Sequence, residues 1–224
     1  MCYNFIIKVT FFDETQFNAI TLALISYFRS YKHGLVMGNV IVNGHSFKIK
    51  ITAAEIDQAV NDIAVRINKD LKDKNPLFVG ILNGAFMFAS DLMKKVTIDS
   101  DITFIKLKSY AGTASTRNIT ELIGLKEDIA GRSVVIVEDI VDTGDTIEHA
   151  VNCMQALGAG DIKVATLLFK PEAYTKTIPL DYNAIVVPND FVVGYGLDYN
   201  GAGRNLTDIY VLDYKADDEL KKNN

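Results

Sequence analysis

The stretch Val134–Ile147, VVIVEDIVDTGDTI, constrains this chain more than any other. Its apolar lead, Ser133–Val137, is continuous rather than alternating, which suits a strand covered on both faces in a parallel sheet. Such a strand delivers its C-terminal end to the sheet edge where α/β proteins bind ligands. Glu138 and Asp139 sit at that end, and Asp142 follows. Thr143, Gly144, Asp145 and Thr146 then make a tight turn that opens a helix, with Ile147, Val151 and Met154 on one face and Gly158 ending it. Unpaired N–H groups, the positive end of the helix dipole, threonine hydroxyls and a glycine make that turn a phosphate cradle. Three carboxylates beside it would repel a bare phosphate. They suit a ligand that also offers sugar hydroxyls, a divalent cation or a developing positive charge, and a phosphorylated ribose offers that combination. Any one of these acids could simply cap the helix or solvate the loop; the ordered set carries the reading. No Gly-Lys-Ser/Thr follows a glycine loop, and the Gly-x-Gly pairs at 158, 194 and 201 lack a third glycine after a strand.

The rest of the body alternates strand and helix. Thr52 and Glu55 fit a capping box, followed by Ile56, Val60, Ile63 and Ile67 at helical spacing and a turn at KDKNP. Leu77–Leu82 reads as a second buried strand, Asn83 and Gly84 break it, and Ala85–Lys95 reads as a helix. Asp101–Lys108, Ile162–Phe169, Ala184–Val187 and Phe191–Val193 add strands, and the small polar run Ser109–Asn118 reads as an exposed mobile loop. This order predicts an α/β fold, a mainly parallel sheet with helices on both faces. The formal charge of -5 argues against nucleic acid or an anionic membrane as partner. Two cysteines, Cys2 and Cys153, form no disulfide framework or zinc pattern and point to a reducing compartment, the cytoplasm. His33, His45 and His149 show no metal-ligand spacing, and Cys153 reads as packing. The most apolar run before the body, Ala19–Phe28, is too short to span a bilayer. Met37 reads as the natural start of the compact domain, so residues 1–36 are expected to be an upstream extension without a function.

VVIVEDIVDTGDTI resembles the phosphoribosyl-pyrophosphate motif of type I phosphoribosyltransferases, and more narrowly that of the hypoxanthine-guanine enzymes. The likeness runs from about Phe47 to Asp213, and LNGAFMFASDL at 82–92, LKSY at 107–110, Lys170, FVVGYGLDYN at 191–200 and Arg204 agree with it. The resemblance implies a type I phosphoribosyltransferase fold over residues 37–224, a twisted, mainly parallel sheet with a small hood over the purine site. It implies that Glu138 and Asp139 hold the ribose hydroxyls directly or through Mg2+, and that Asp142 is the general base or acid at purine N7. Thr143, Gly144, Asp145 and Thr146 would hold the 5′-phosphate. Asp145, where relatives vary and some are basic, would donate its N–H with its charge turned away. Asn83 and Gly84 would form the pyrophosphate loop, where the family has a non-proline cis peptide and often a basic residue in place of Asn83. Ser109 and Tyr110 would belong to the lid. Lys170 would donate to O6, Phe191 would stack on the base, Val192 would bind its edge through the backbone, Asp198 would bind a second Mg2+, and Arg204 the pyrophosphate.

The implied reaction joins hypoxanthine or guanine to phosphoribosyl pyrophosphate, giving the nucleoside 5′-monophosphate and pyrophosphate, in a homodimer or homotetramer. Two alternatives stay open: a xanthine-preferring phosphoribosyltransferase, and a regulator that keeps the fold to sense phosphoribosyl pyrophosphate while binding nucleic acid.

Overall fold

The computed structural model describes residues 39–109 and 119–222; the expected extension, Tyr110 and the loop at 110–118 lie outside the described residues. The chain divides into two units, Met1–Val40 and Ile41–Asn224, and the second carries the site. In chain order the described elements are β1 (Asn39–Val42), β2 (His45–Ile51), α1 (Ala53–Asp70), β3 (Leu77–Leu82), α2 (Phe86–Met93), β4 (Asp101–Ser109), β5 (Ile119–Ile123), β6 (Ser133–Val141), α3 (Asp145–Ala156), β7 (Asp161–Phe169), β8 (Tyr182–Val186), β9 (Val192–Val193), β10 (Ile209–Leu212) and α4 (Tyr214–Lys222).

Local chemistry explains the first helix. The Thr52 hydroxyl accepts from the Glu55 N–H at 3.3 Å, while the Glu55 carboxylate accepts from the Thr52 N–H at 2.8 Å. Ile56, Val60, Ile63, Ala64 and Ile67 then fall on the buried face. Helix α2 begins after Ala85 and stops at Met93, inside its expected span.

The large sheet runs β5-β4-β3-β6-β7-β8. Strands β4, β3, β6, β7 and β8 are parallel, and β5 closes one edge antiparallel. Burial on both faces follows the two-residue period of a strand. Val134 and Ile136 pack with Ile147, Ala150 and Met154 of α3, while Val135 and Val137 pack with Ile63, Ile67 and Phe88 of α1 and α2. Each such side chain removed from water contributes roughly 1.5–3 kcal/mol. The expected α/β architecture is therefore present, with helices on both faces.

Strand β6 continues past its apolar run Ser133–Val137, at whose C-terminal end the sequence places Glu138 and Asp139. Pairing with β3 does stop at Val137, opposite Gly80, but pairing with β7 continues to Val141 opposite Phe169. Glu138 and Asp139 therefore lie within the strand, held on one side only.

A second, four-stranded sheet runs β1-β2-β10-β9, with β10 antiparallel to both β2 and β9. Helix α4 is fastened to it by Asp217. Its Oδ1 accepts from the Ser46 N–H at 3.0 Å, and its Oδ2 lies 3.2 Å from His45 Nδ1 and 2.8 Å from Lys221 Nζ. Lys221 first, then the Ser46 amide and His45, lower the Asp217 carboxyl to about 2. A carboxyl lowered on folding stabilises above its unfolded value, about 4, and loses that effect as pH falls through its folded value. Asp217→Asn is therefore expected to lower the thermal midpoint at pH 7, with the gap from the parent closing between pH 4 and pH 2. A gap independent of pH would remove the ionic role.

Candidate active site

Strands β3 and β6 are neighbours, yet the chain leaves β3 towards β4 on one side and leaves β6 towards β7 on the other. That reversal of strand order opens a crevice at the C-terminal ends, the usual ligand position in an open α/β sheet. A cavity of about 390 Å³ lies there, walled by Ile81 and Leu82 at the end of β3, by Gly84 just after it, by Leu107 of β4, and by every residue from Glu138 to Ile147. Leu82–Asn83 is a cis peptide, as the resemblance implies. Gly84 follows from geometry: a Cβ at that position would lie 1.6 Å from Asp139 Oδ2. The carboxylate fills the space where any other residue would carry a side chain.

Glu138 and Asp139 are 5% and 8% exposed. The Ile140 N–H donates to Asp139 Oδ1 at 2.8 Å, and the Asp139 N–H to Glu138 Oε1 at 3.2 Å. Among the described residues Glu138 Oε2, also buried, finds no hydrogen-bond partner. Burial raises both carboxyls, Glu138 strongly and with the Asp139 charge adding to it, whereas Arg204 works to lower Asp139. An unpaired buried acceptor beside a second buried acid is a costly arrangement unless a donor or cation arrives.

Asp142 lies one residue past the strand with its carboxylate 3.1 Å from Lys170 Nζ. Lys170 is only 7% exposed, and its backbone N–H donates to Val141 O at 2.9 Å, so the lysine is set against β6 at the end of β7. Gly144 then turns with φ of 89° and caps α3. Thr143 and Thr146 are exposed on the turn. The Asp145 carboxylate accepts from the Thr143 hydroxyl at 3.1 Å and from Lys176 Nζ at 2.8 Å, while its N–H points to Thr143 Oγ1 at 3.4 Å.

The residues expected on the base side stand beside this cavity rather than in its wall. Val192 is buried in β9, and Phe191 is 48% exposed with Tyr199 edge-on at 5.5 Å. Asp198 and Arg204, expected to hold a metal and a pyrophosphate, are paired with each other. Arg204 Nη2 lies 2.6 Å from Asp198 Oδ1, Arg204 Nη1 donates to Gly196 O, and the Gly201 N–H donates to Asp198 Oδ2. This loop packs on the β3 end, since a Cβ on Gly196 would meet Gly84 O at 2.1 Å. The Tyr195 hydroxyl donates to Asp91 of α2 at 2.6 Å, and burial first, then Asp91, pushes its pKa far up. Asn83 is exposed beside Gly84. Ser109 closes β4, and Tyr110 falls outside the described residues.

The sequence reading missed Lys176, Tyr195 and Asp91, whose partners lie far away in sequence. It also passed over His45, whose ring lies 3.2 Å from Asp217 and 3.4 Å from the Tyr199 hydroxyl. Among the described residues no group of three or more His, Cys, Asp or Glu side chains could hold a metal unaided. Mg2+ is commonly held by one or two carboxylates plus substrate phosphate oxygens and water. The unpartnered Glu138 Oε2 beside Asp139 fits that mode.

Two buried acids near the end of a parallel strand, a glycine turn at a helix start and a buried lysine paired with a third acid stand together at one sheet edge. The chain matches the phosphoribosyl transferase domain family over residues 51–200 and belongs to it. It is 40% identical over 166 residues to a hypoxanthine-guanine phosphoribosyltransferase of Streptococcus pneumoniae, a match covering 74% of this chain and 92% of that one. Among solved structures, a hypoxanthine phosphoribosyltransferase of Staphylococcus aureus aligns with TM-score 0.68 at 32% identity, covering 75% of this chain and 92% of the other. That of Trypanosoma cruzi aligns with TM-score 0.67 at 32% identity, covering 74% and 95%.

Because Asp139 occupies the space above Gly84, Gly84→Ala must push apart the loop after β3 and the buried acids of β6. Nucleotide formation is expected to fall by about 10²-fold or more, since displacements near 1 Å at a reacting centre have effects of that order. Gly131→Ala, a left-handed position with open space around it, serves as the control for backbone strain. Equal residual activity in the two variants, per folded molecule, would contradict the packing argument.

Proposed function

We propose that this chain is a purine-salvage transferase that moves the 5-phosphoribosyl group from phosphoribosyl pyrophosphate to hypoxanthine and guanine, with Mg2+. The observation that carries the reading is the Asp142–Lys170 pair at 3.1 Å, set between the buried acids of β6 and the turn that opens α3. In this reading the N–H groups and hydroxyls of Thr143, Gly144, Asp145 and Thr146 hold the 5′-phosphate, and Glu138 and Asp139 receive the ribose hydroxyls. Breaking the anomeric C–O bond leaves positive charge on the ribose ring, which fixed nearby carboxylates stabilise.

Lys170 and Asp142 together read the base. An ammonium donates and cannot accept, so Lys170 matches a carbonyl at O6 and rejects an exocyclic amino group in that place. A hydrogen bond from a charged group is worth roughly 1.5–3 kcal/mol. Asp142 takes or gives the proton at N7, and the Lys170 ammonium keeps its carboxylate oriented. Phe191 stacks on the ring, Val192 binds its edge through the backbone, and Asn83, Gly84 and Arg204 hold the pyrophosphate. Bound through Glu138, Asp139 and Asp198, Mg2+ would supply charge neutralisation of the leaving pyrophosphate. Asp198 and Arg204, paired with each other, would have to separate for each to hold its group.

No helix among the described residues is long and apolar enough to cross a membrane, which is compatible with the cytoplasmic site of action we propose. We further propose residues 37–224 as the working domain, assembled as a homodimer or homotetramer, with 1–36 an extension without function. A native N-terminus at Met37 supports this, and one at Met1 counts against it.

Asp142→Asn should lower turnover by about 10²–10⁴-fold, the usual contribution of general acid–base catalysis. In an assay with radiolabelled bases and magnesium, the parent protein should convert hypoxanthine and guanine. Preference for xanthine would replace the base assignment. No product, together with retained RNA or DNA binding, would replace the enzymatic one.

A further inference from the structure

An aspartate in a turn that receives a phosphate is an electrostatic conflict, and this chain places a second acid, Glu148, one turn along the same helix start. Both favour the helix dipole, but both compete with a substrate anion for it. Lys176 meets both: its Nζ lies 2.8 Å from Asp145 Oδ1 and 2.7 Å from Glu148 Oε2. The lysine stem is packed, not loose. A Cβ on Gly144 would lie 2.7 Å from Lys176 Cγ and 2.5 Å from the Tyr174 ring. The segment is also tied to the turn without Lys176, because the Thr175 N–H and hydroxyl each donate to Thr143 O at 3.2 Å.

We propose that Lys176 is a positioning residue for the substrate's 5′-phosphate. It neutralises the Asp145 carboxylate, which also accepts from the Thr143 hydroxyl, so that the N–H groups of 143–146 meet the anion without that charge opposing it. The proposal rests on the reading of that turn as the phosphate site. Lys176 acts through Asp145 and is not itself a catalytic residue.

Lys176→Met keeps an apolar stem against Gly144 and removes the charge. It is expected to raise KM for phosphoribosyl pyrophosphate, and the dissociation constant of ribose 5-phosphate by calorimetry, about tenfold, with kcat changed less than about twofold. The rise should shrink at high ionic strength. In an Asp145→Asn background the same substitution should change either constant less than about twofold, whereas in a Glu148→Gln background most of the effect should persist. Lys176→Arg should keep parental affinity. An unchanged KM in Lys176→Met, or a loss that Asp145→Asn does not relieve, would overturn the proposal and leave the lysine a structural staple. A parental protein that makes no nucleotide would instead overturn the functional reading beneath it, and that outcome is visible without any variant.

Discussion

The site depends on one unequal pairing. Strand β6 loses its β3 partner after Val137 but keeps β7 as far as Val141. This carries two acids into a buried position at the mouth of the crevice while their backbone is still fixed. The space freed on the β3 side is taken by the Asp139 carboxylate, and only a glycine at 84 leaves room for it. The buried acids of β6, the loop after β3 and the loop that rests on Gly84 through Gly196 therefore share one contact region. Displacing any of them displaces the others.

That arrangement places negative charge where water is scarce. Burial works against ionising both Glu138 and Asp139, and among the described residues Glu138 Oε2 has no hydrogen-bond partner. Such a pair is poised to receive hydroxyl donors or a cation, which a bare core would not need. Elsewhere the site meets its acids with cations already present: Lys170 for Asp142, Arg204 for Asp198, and Lys176 for Asp145. Among the described residues no such cation contacts Glu138 or Asp139, the two acids we propose for the sugar.

What could be read from the sequence followed from how local each signal is. The Thr52–Glu55 box and the continuous apolar runs of β3 and β6 are contained in a few residues, and they appeared where expected. The full length of β6 was not legible, because hydrogen bonding to β7 carries the strand past its apolar run and the two acids to Val141. Strand β5 is an edge strand, and β10 a four-residue run, too short for a period to show. Helix α4 has few apolar side chains, and its attachment through Asp217 to Ser46 joins opposite ends of the domain. The chemistry-bearing residues of the turn were legible as an ordered set; their counter-charges were not, since Lys176 and Asp145 meet only once the chain has crossed β7. Assignment of Phe191, Val192, Asp198 and Arg204 came from family likeness, and no feature of their composition suggests a purine.

In the proposed function one strand-turn unit holds both ends of a ribose phosphate. A crystal structure with the nucleoside 5′-monophosphate product of hypoxanthine bound tests it directly. The phosphate is expected about 2.7–3.2 Å from the N–H groups of 143–146, with the ribose hydroxyls in hydrogen-bonding contact with Glu138 and Asp139. A nucleotide bound with its phosphate away from that turn, or with its ribose turned from those two acids, would contradict it.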